Sequence, residues 1–217
     1  ETKDIRSRGN GCDVSDNNGQ VLIANGPSQA YFIPDGVASY TVGGTTFLVT
    51  ANEGDEKEYT GFTERVAVGA GAYTLDTTNF PNASVLKQNH NLGRFRATNL
   101  NGNTDADAQF ETIHCVGTRS FSIFNTTTKQ IVFDSGDDFE RYTAANLPTL
   151  FNADHEDNTP KGRSRAKGPE PEGVTIAQIA TETFAFVSLE RVGGVMVYNI
   201  TNPNNPVFVD YKNSRST

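Results

Sequence analysis

The sequence predicts an all-β fold, a β-propeller-like array of four-stranded blades. Three observations carry this. A passage occurs twice: Pro34-Asp35-Gly36-Val37 leads through an apolar run to Ala51-Asn52-Glu53, and Pro171-Glu172-Gly173-Val174 leads through another to Ser188-Leu189-Glu190. The offset is 137 residues without a gap, so Asp35 aligns with Glu172, Phe47 with Phe184 and Glu53 with Glu190. Repetition of a β unit at long period marks propellers and related arrays. Composition agrees: Val, Ile, Phe, Thr and Tyr are frequent, and no long amphipathic helical stretch competes. Finally, 20 Gly and 9 Pro supply tight turns between short apolar runs.

Taken in order, residues 1–19 are polar and rich in Gly, Asn and Asp, and read as a loop. Strands are expected at 21–23, 38–42 and 46–50, the last two joined by Gly43-Gly44, a good hairpin turn. Another is placed at 64–69. Residues 70–108 show little periodicity and read as a long excursion, kept by function or by a bound ion. Strands return at 110–116, 120–125 and 130–133. A second excursion, 134–170, is polar and charged; its basic part, 161–167, reads as a solvated loop, with an anion or partner contact as the alternative. Strands at 174–179, 183–189, 194–199 and 207–211 follow, the last two separated by the turn Asn202-Pro203-Asn204-Asn205-Pro206. Roughly eleven or twelve strands make about three blades, which do not close a ring. Residues 1–217 then form one partial propeller domain completed by further blades, or an open β array.

The chain carries 18 basic and 26 acidic residues, a net charge of −8. This disfavours nucleic acid and anionic membranes as partners and suits cations. No apolar run approaches the length of a membrane span. The chain begins at Glu1 with no signal peptide and is read as a processed or partial product. Sequons at Asn82, Asn125 and Asn199, with only two cysteines, lean toward a secreted glycoprotein. Cys12 and Cys115 either form one disulfide there, or stand as buried thiols, or bridge to another segment.

Acidic constellations are the chemical signal. Asn103, Asp105, Asp107 and Glu111 place oxygen ligands as a tight calcium loop does. Two departures weaken that pattern: Ala108 stands at the sixth position, where Gly is wanted, and His114 at the twelfth, where Glu is wanted. The bland reading is an acidic surface turn. Asp134, Asp137, Asp138 and Glu140 crowd seven residues and need a cation, Arg119 or Arg141 to neutralise them, or else cap backbone N–H groups. The repeated acids matter more. Asp35, Glu53, Glu172 and Glu190 occupy equivalent strand ends, with Asp55 and Glu170 nearby and Arg191 adjacent. Carboxylates gathered there need protons, arginine or a divalent cation. A cation site and a purely structural network both fit. Catalytic patterns are thin: His90, His114 and His155 lack metal-ligand spacing, and Ser120 and Ser188 lack a nucleophile elbow.

Several stretches together resemble the choice-of-anchor I proteins: residues 34–37 with 50–55, the acidic stretch 102–111, Arg119-Ser120-Phe121-Ser122-Ile123, residues 133–140, 167–174 and 189–198. That group includes mesenchyme-specific cell-surface glycoproteins of biomineralising animals and bacterial relatives labelled alkaline phosphatases. The resemblance implies a propeller-like fold, secretion or surface attachment through a segment outside this chain, and a calcium or biomineral role. It also implies further blades before and after this region. The chain departs from the family at Ala108, His114, Cys115 and Thr118, and the Cys115 departure points to a disulfide particular to this protein. The leading expectation is a secreted, Ca2+-binding glycoprotein with a structural or interaction role at a cell surface, extracellular matrix or mineralised assembly. Its partners would be the remaining blades or other chains of that assembly. The alternative is a metal-dependent phosphoesterase holding its cation on Glu53, Glu172 and Glu190, with Arg191 or Lys167 on the phosphoryl oxygens.

Overall fold

The computed structural model describes residues 1–105 and 107–216. In chain order the elements are β1 (Thr2–Asp4), β2 (Ser28–Tyr31), β3 (Gly36–Val42), β4 (Thr45–Ala51), β5 (Glu58–Tyr59), β6 (Phe62–Thr63), β7 (Arg65–Ala67), β8 (Thr74–Leu75), α1 (Ala83–Leu86), β9 (Arg96–Thr98), β10 (Gln109–Phe110), β11 (Ile113–Val116), β12 (Phe121–Asn125), β13 (Gln130–Asp134), α2 (Asp138–Asn146), β14 (Pro171–Ile179), β15 (Glu182–Leu189), β16 (Val195–Asn199) and β17 (Val207–Lys212). The all-β class is observed.

Two four-stranded antiparallel sheets dominate, ordered β13-β12-β4-β3 and β14-β15-β16-β17. The duplication read from the sequence is exact in register. Gly36 pairs with Ala51 and Val42 with Thr45 in the first hairpin. Gly173 pairs with Ser188 and Ile179 with Glu182 in the second, each 137 residues on. The correspondence extends beyond the strands: Ile33 and Glu170, also counterparts, both adopt left-handed backbone, with φ of 37° and 51°. The copies differ in what they carry next. In the second, β16 and β17 follow directly; in the first, residues 52–120 intervene before β12 and β13 complete the sheet.

The two sheets share one core. Phe47, Val49 and Ala51 of β4, Phe121 and Ile123 of β12, and Phe139 of α2 join Ala185, Val187 and Leu189 of β15 with Met196 and Tyr198 of β16. The buried positions of β15 are the counterparts of 48, 50 and 52, not of 47, 49 and 51. Because a strand alternates its faces, the two copies offer opposite faces to the shared core. Head-to-tail stacking of repeats requires this, whereas a two-fold relation would present the same face twice.

Four-stranded sheets number two among the described residues, against the expectation of about three. The remaining strands form a three-stranded sheet, β1-β2-β11, and three two-stranded ladders. In the three-stranded sheet β11 runs parallel to β2. A second core lies here, including Ile5, Tyr73, Phe95 and Ile113. The strand expected at 21–23 is absent: that segment is irregular, Val21 and Leu22 are exposed, and it is tied down by the Cys12–Ala24 bridge and by the Leu22 N–H donating to Asp13 Oδ2. The excursion 134–170 contains α2, whose Phe139, Glu140 and Thr143 are buried.

Candidate functional site

β4 and β15 end side by side, and Glu53 and Glu190 follow them. Carboxylate oxygens of Glu53, Glu170 and Glu190 lie within 4.8 Å of one another, and so do those of Asp35, Glu53 and Glu172. Glu53 belongs to both groups. The expected set of Glu53, Glu172 and Glu190 is therefore split between two triads that share Glu53. Beside Glu53 the chain packs closely on residues 116–117: Gly54 and Gly117 both have left-handed φ, and a Cβ on either would strike the backbone of the other segment, Glu53 O included.

What lies between the acids is a lysine. Lys167 Nζ stands 2.5 Å from Glu53 Oε1, 3.2 Å from Glu170 Oε2 and 3.6 Å from Asp55 Oδ1. Glu170, fully buried, also meets Arg163 at 2.5 Å and Arg191 at 3.1 Å. Arg191 reaches Glu190 at 3.1 Å as well. Burial would raise the Glu170 carboxyl, but Arg163, Lys167 and Arg191 together hold it below its ordinary value. Burial raises Glu53 despite Lys167, because Glu170 and Asp35 add their repulsion. Burial likewise raises Glu190, against the pull of Arg191. The two cations considered for phosphoryl oxygens are thus both committed to carboxylates.

The basic stretch 161–167 corrects the expectation of a solvated loop. Lys161, Ser164, Ala166 and Lys167 are buried. Lys161 Nζ donates to Asp13 Oδ2 and Asn18 Oδ1, each at 2.7 Å, and to Gln20 O. Arg165 meets Asp16 at 2.9 Å. Lys161, Arg165 and Lys167 each find an acid from a distant part of the chain, and Arg163 finds Glu170 and Asp154 nearby. Three of the crowded acids of 134–140 meet cations: Asp134 meets Lys3 at 2.7 Å, Asp137 meets Arg141 one helical turn on at 2.7 Å and Glu140 meets Arg119 at 2.5 Å, while Asp138 accepts from the Tyr198 hydroxyl at 3.1 Å.

The acidic loop is a second group. Carboxylate oxygens of Asp105, Asp107 and Glu111 lie within 4.8 Å of one another. Asp105 Oδ1 accepts the Asp107 N–H at 3.2 Å, and Asp107 Oδ1 accepts that of Gln109 at 2.8 Å. Glu111 Oε2 accepts the N–H and hydroxyl of Thr104 at 2.5 and 2.9 Å. Its other oxygen, Oε1, is buried and has no hydrogen-bond partner. Asn103 stands at the loop entry, while Ala106 lies outside the described residues. Ala108, where Gly was expected, has φ of 71°, the conformation that favours Gly. At the twelfth position His114 does not turn into the loop: it stacks on Tyr31 at 5.2 Å and shares a 2.8 Å hydrogen bond with Thr112.

Cys12 and Cys115 occupy the same core cluster as free, buried thiols, one of the alternatives that the sequence left open. Burial pushes them up to about 11 and about 12. Among the sequon asparagines Asn82 is exposed, Asn125 is half-buried, and Asn199 donates its amide to Glu182 at 2.7 Å. His155 contacts Asp154 and Arg191 on the surface. Sequence reasoning placed Glu170 near the repeated acids but missed that Lys167 and Arg163 pair with it. The available signal was Glu170 itself, an acid placed immediately before the second repeated passage. Among the described residues no helix is long and apolar enough to cross a membrane.

Comparison with known proteins adds two findings. Residues 2–203 match the family model described as the choice-of-anchor I domain. Over 116 residues the chain is 29% identical to Gigasin-3a of Magallana gigas, a match covering 51% of this chain and 40% of that protein. The matched region thus spans less than half of that relative's length. No solved structure matches.

Proposed function

The chain belongs to the choice-of-anchor I domain family, and on that footing we propose that it is a calcium-binding structural or interaction module of a secreted or cell-surface protein. The family and the Gigasin-3a relative point to an extracellular or surface setting. The observation that carries the calcium reading is Glu111 Oε1, a buried acceptor without a partner, beside the oxygens of Asp105 and Asp107. A hard cation satisfies such a set, with backbone carbonyls, the Asn103 amide and water completing six to eight oxygens.

The triad of Asp35, Glu53 and Glu172 is the second candidate for a cation. Its Glu53 already holds Lys167, so it would bind more weakly than the loop. The head-to-tail stacking of the duplicated sheets supports a propeller-like array, with further blades supplied by a longer chain or a partner. Calorimetric titration with Ca2+ tests the function. Binding is expected in the parent and in Glu172→Gln, and is expected to be lost in Glu111→Gln. Absence of binding in the parent refutes the proposal.

A further inference from the structure

A cleft of about 580 Å3 opens beside the acidic loop. It falls within the roughly 300–1,000 Å3 range of small-molecule sites. Two polar atoms of its lining residues are buried without a hydrogen-bond partner: Ser28 Oγ and Glu111 Oε1. Ser28 is only 2% exposed. Folded proteins retain few such groups, and each calls for an explanation.

The other lining residues select the ligand. Gln29 and Asn82 bring carboxamides, which both donate and accept, and Phe80 and Leu86 bring apolar surface. Arg6 also lines the cleft, but Asp4 clamps it at 2.9 and 3.1 Å, and Glu111 repels anions. A purely apolar ligand would leave Ser28 Oγ unpaired and cover the amide N–H groups of Gln29, whose Oε1 already accepts from the Thr2 hydroxyl at 3.0 Å. A ligand whose hydroxyls donate and accept, and whose C–H surface meets Phe80 and Leu86, satisfies every group. We infer that the cleft binds a neutral sugar unit, one hydroxyl of which pairs with Ser28 Oγ. Because Asn82 begins a sequon and is exposed, the sugar arrives either free or as the proximal unit of a glycan on Asn82.

Glu111 is shared with the calcium loop, but Ser28, Gln29 and Asn82 are not, so the cleft and the loop are tested separately. The full chain, made without glycosylation, is mixed with glucose, galactose, mannose or N-acetylglucosamine and observed by saturation-transfer NMR, in calcium and in chelator. Transfer to at least one sugar is expected, weakened about three- to tenfold in Ser28→Ala by the lost hydrogen bond. Asn82→Leu, at an exposed position, serves if Ser28→Ala fails to fold. No transfer to any of the four sugars in either buffer overturns the inference, as does unchanged binding in the folded variant. Calcium binding, measured without sugar, stands or falls independently. A second arm uses chain from a glycosylating host. Asn82 occupied with added sugar excluded assigns the cleft to the protein's own glycan; added sugar still bound assigns it to a free one.

Discussion

Glu53 and Glu190, counterparts across the 137-residue repeat, bring carboxylate oxygens within 4.8 Å of each other. They coexist because Lys167 and Arg191 stand against them. Duplication placed an acid at each strand end, and stacking of the copies forced the two ends together. The intervening chain supplies the lysine that makes this tolerable. Removing one member of a buried ionic set leaves uncompensated charge. Lys167→Met is therefore expected to destabilise by about 2–4 kcal/mol in urea unfolding, below the upper end of such losses because Glu170 keeps two arginines. A loss within experimental error would show that the acids do not need the lysine.

The same cluster sets a pH profile. Glu170 lies below the ordinary 4.5, so its ion pairs contribute fully above that value and are lost as pH falls through its folded pKa. Glu53 and Glu190 lie above 4.5, so they oppose folding near neutrality and cease to do so as pH falls through their raised values. Stability is expected to rise on mild acidification, pass a maximum and then fall. Chemical denaturation across the range checks this, and Glu53→Gln should flatten the rising limb. A monotonic decline from neutral pH would contradict it.

Ala108 carries a left-handed φ of 71° at the position where a calcium loop takes Gly. An L side chain there costs about 1–2 kcal/mol. Ala108→Gly removes that strain while loosening the unfolded chain, so a net gain of about 0.5–1 kcal/mol is expected in thermal unfolding, together with tighter calcium binding. A destabilised variant with weaker binding would contradict this account of the loop.

Gly36 sits against its own counterpart: a Cβ there would lie 2.6 Å from Glu172 O, 2.9 Å from Val174 N and 3.0 Å from Gly173 Cα. These are backbone atoms and cannot rotate away. Gly36→Ala is expected to cost about 2–3 kcal/mol by forcing the hairpins apart. Gly26→Ala, which meets nothing within 4 Å, should be near neutral. Equal effects of the two would argue against tight stacking of the repeats.

The duplicated hairpins were legible because strands of seven to nine residues with turn signals carry a period-two pattern that survives copying. The three-stranded sheet was not. Its strands have three or four residues, and β2 pairs in parallel with β11, which begins 85 residues further on at Ile113. Val21-Leu22-Ile23 looked like a strand because it is apolar, yet no neighbouring strand is placed to pair with it. α2 was hidden because its buried side includes Glu140, whose partner Arg119 comes from the loop between β11 and β12. The basic stretch looked solvated for the same reason: Asp13, Asp16 and Glu53, which bind it, lie more than a hundred residues away. Local patterns report periodicity, but not charge that is satisfied across the fold.

Calcium-dependent thermal stability tests the central claim most directly. A ligand that binds only the folded state at a hundredfold excess over its Kd adds about 2.7 kcal/mol. For a chain of this size that raises the unfolding midpoint by about 5–10 °C. The parent should show that rise in calcium relative to chelator, and Glu111→Gln should not. An identical midpoint in both conditions for the parent would contradict the account.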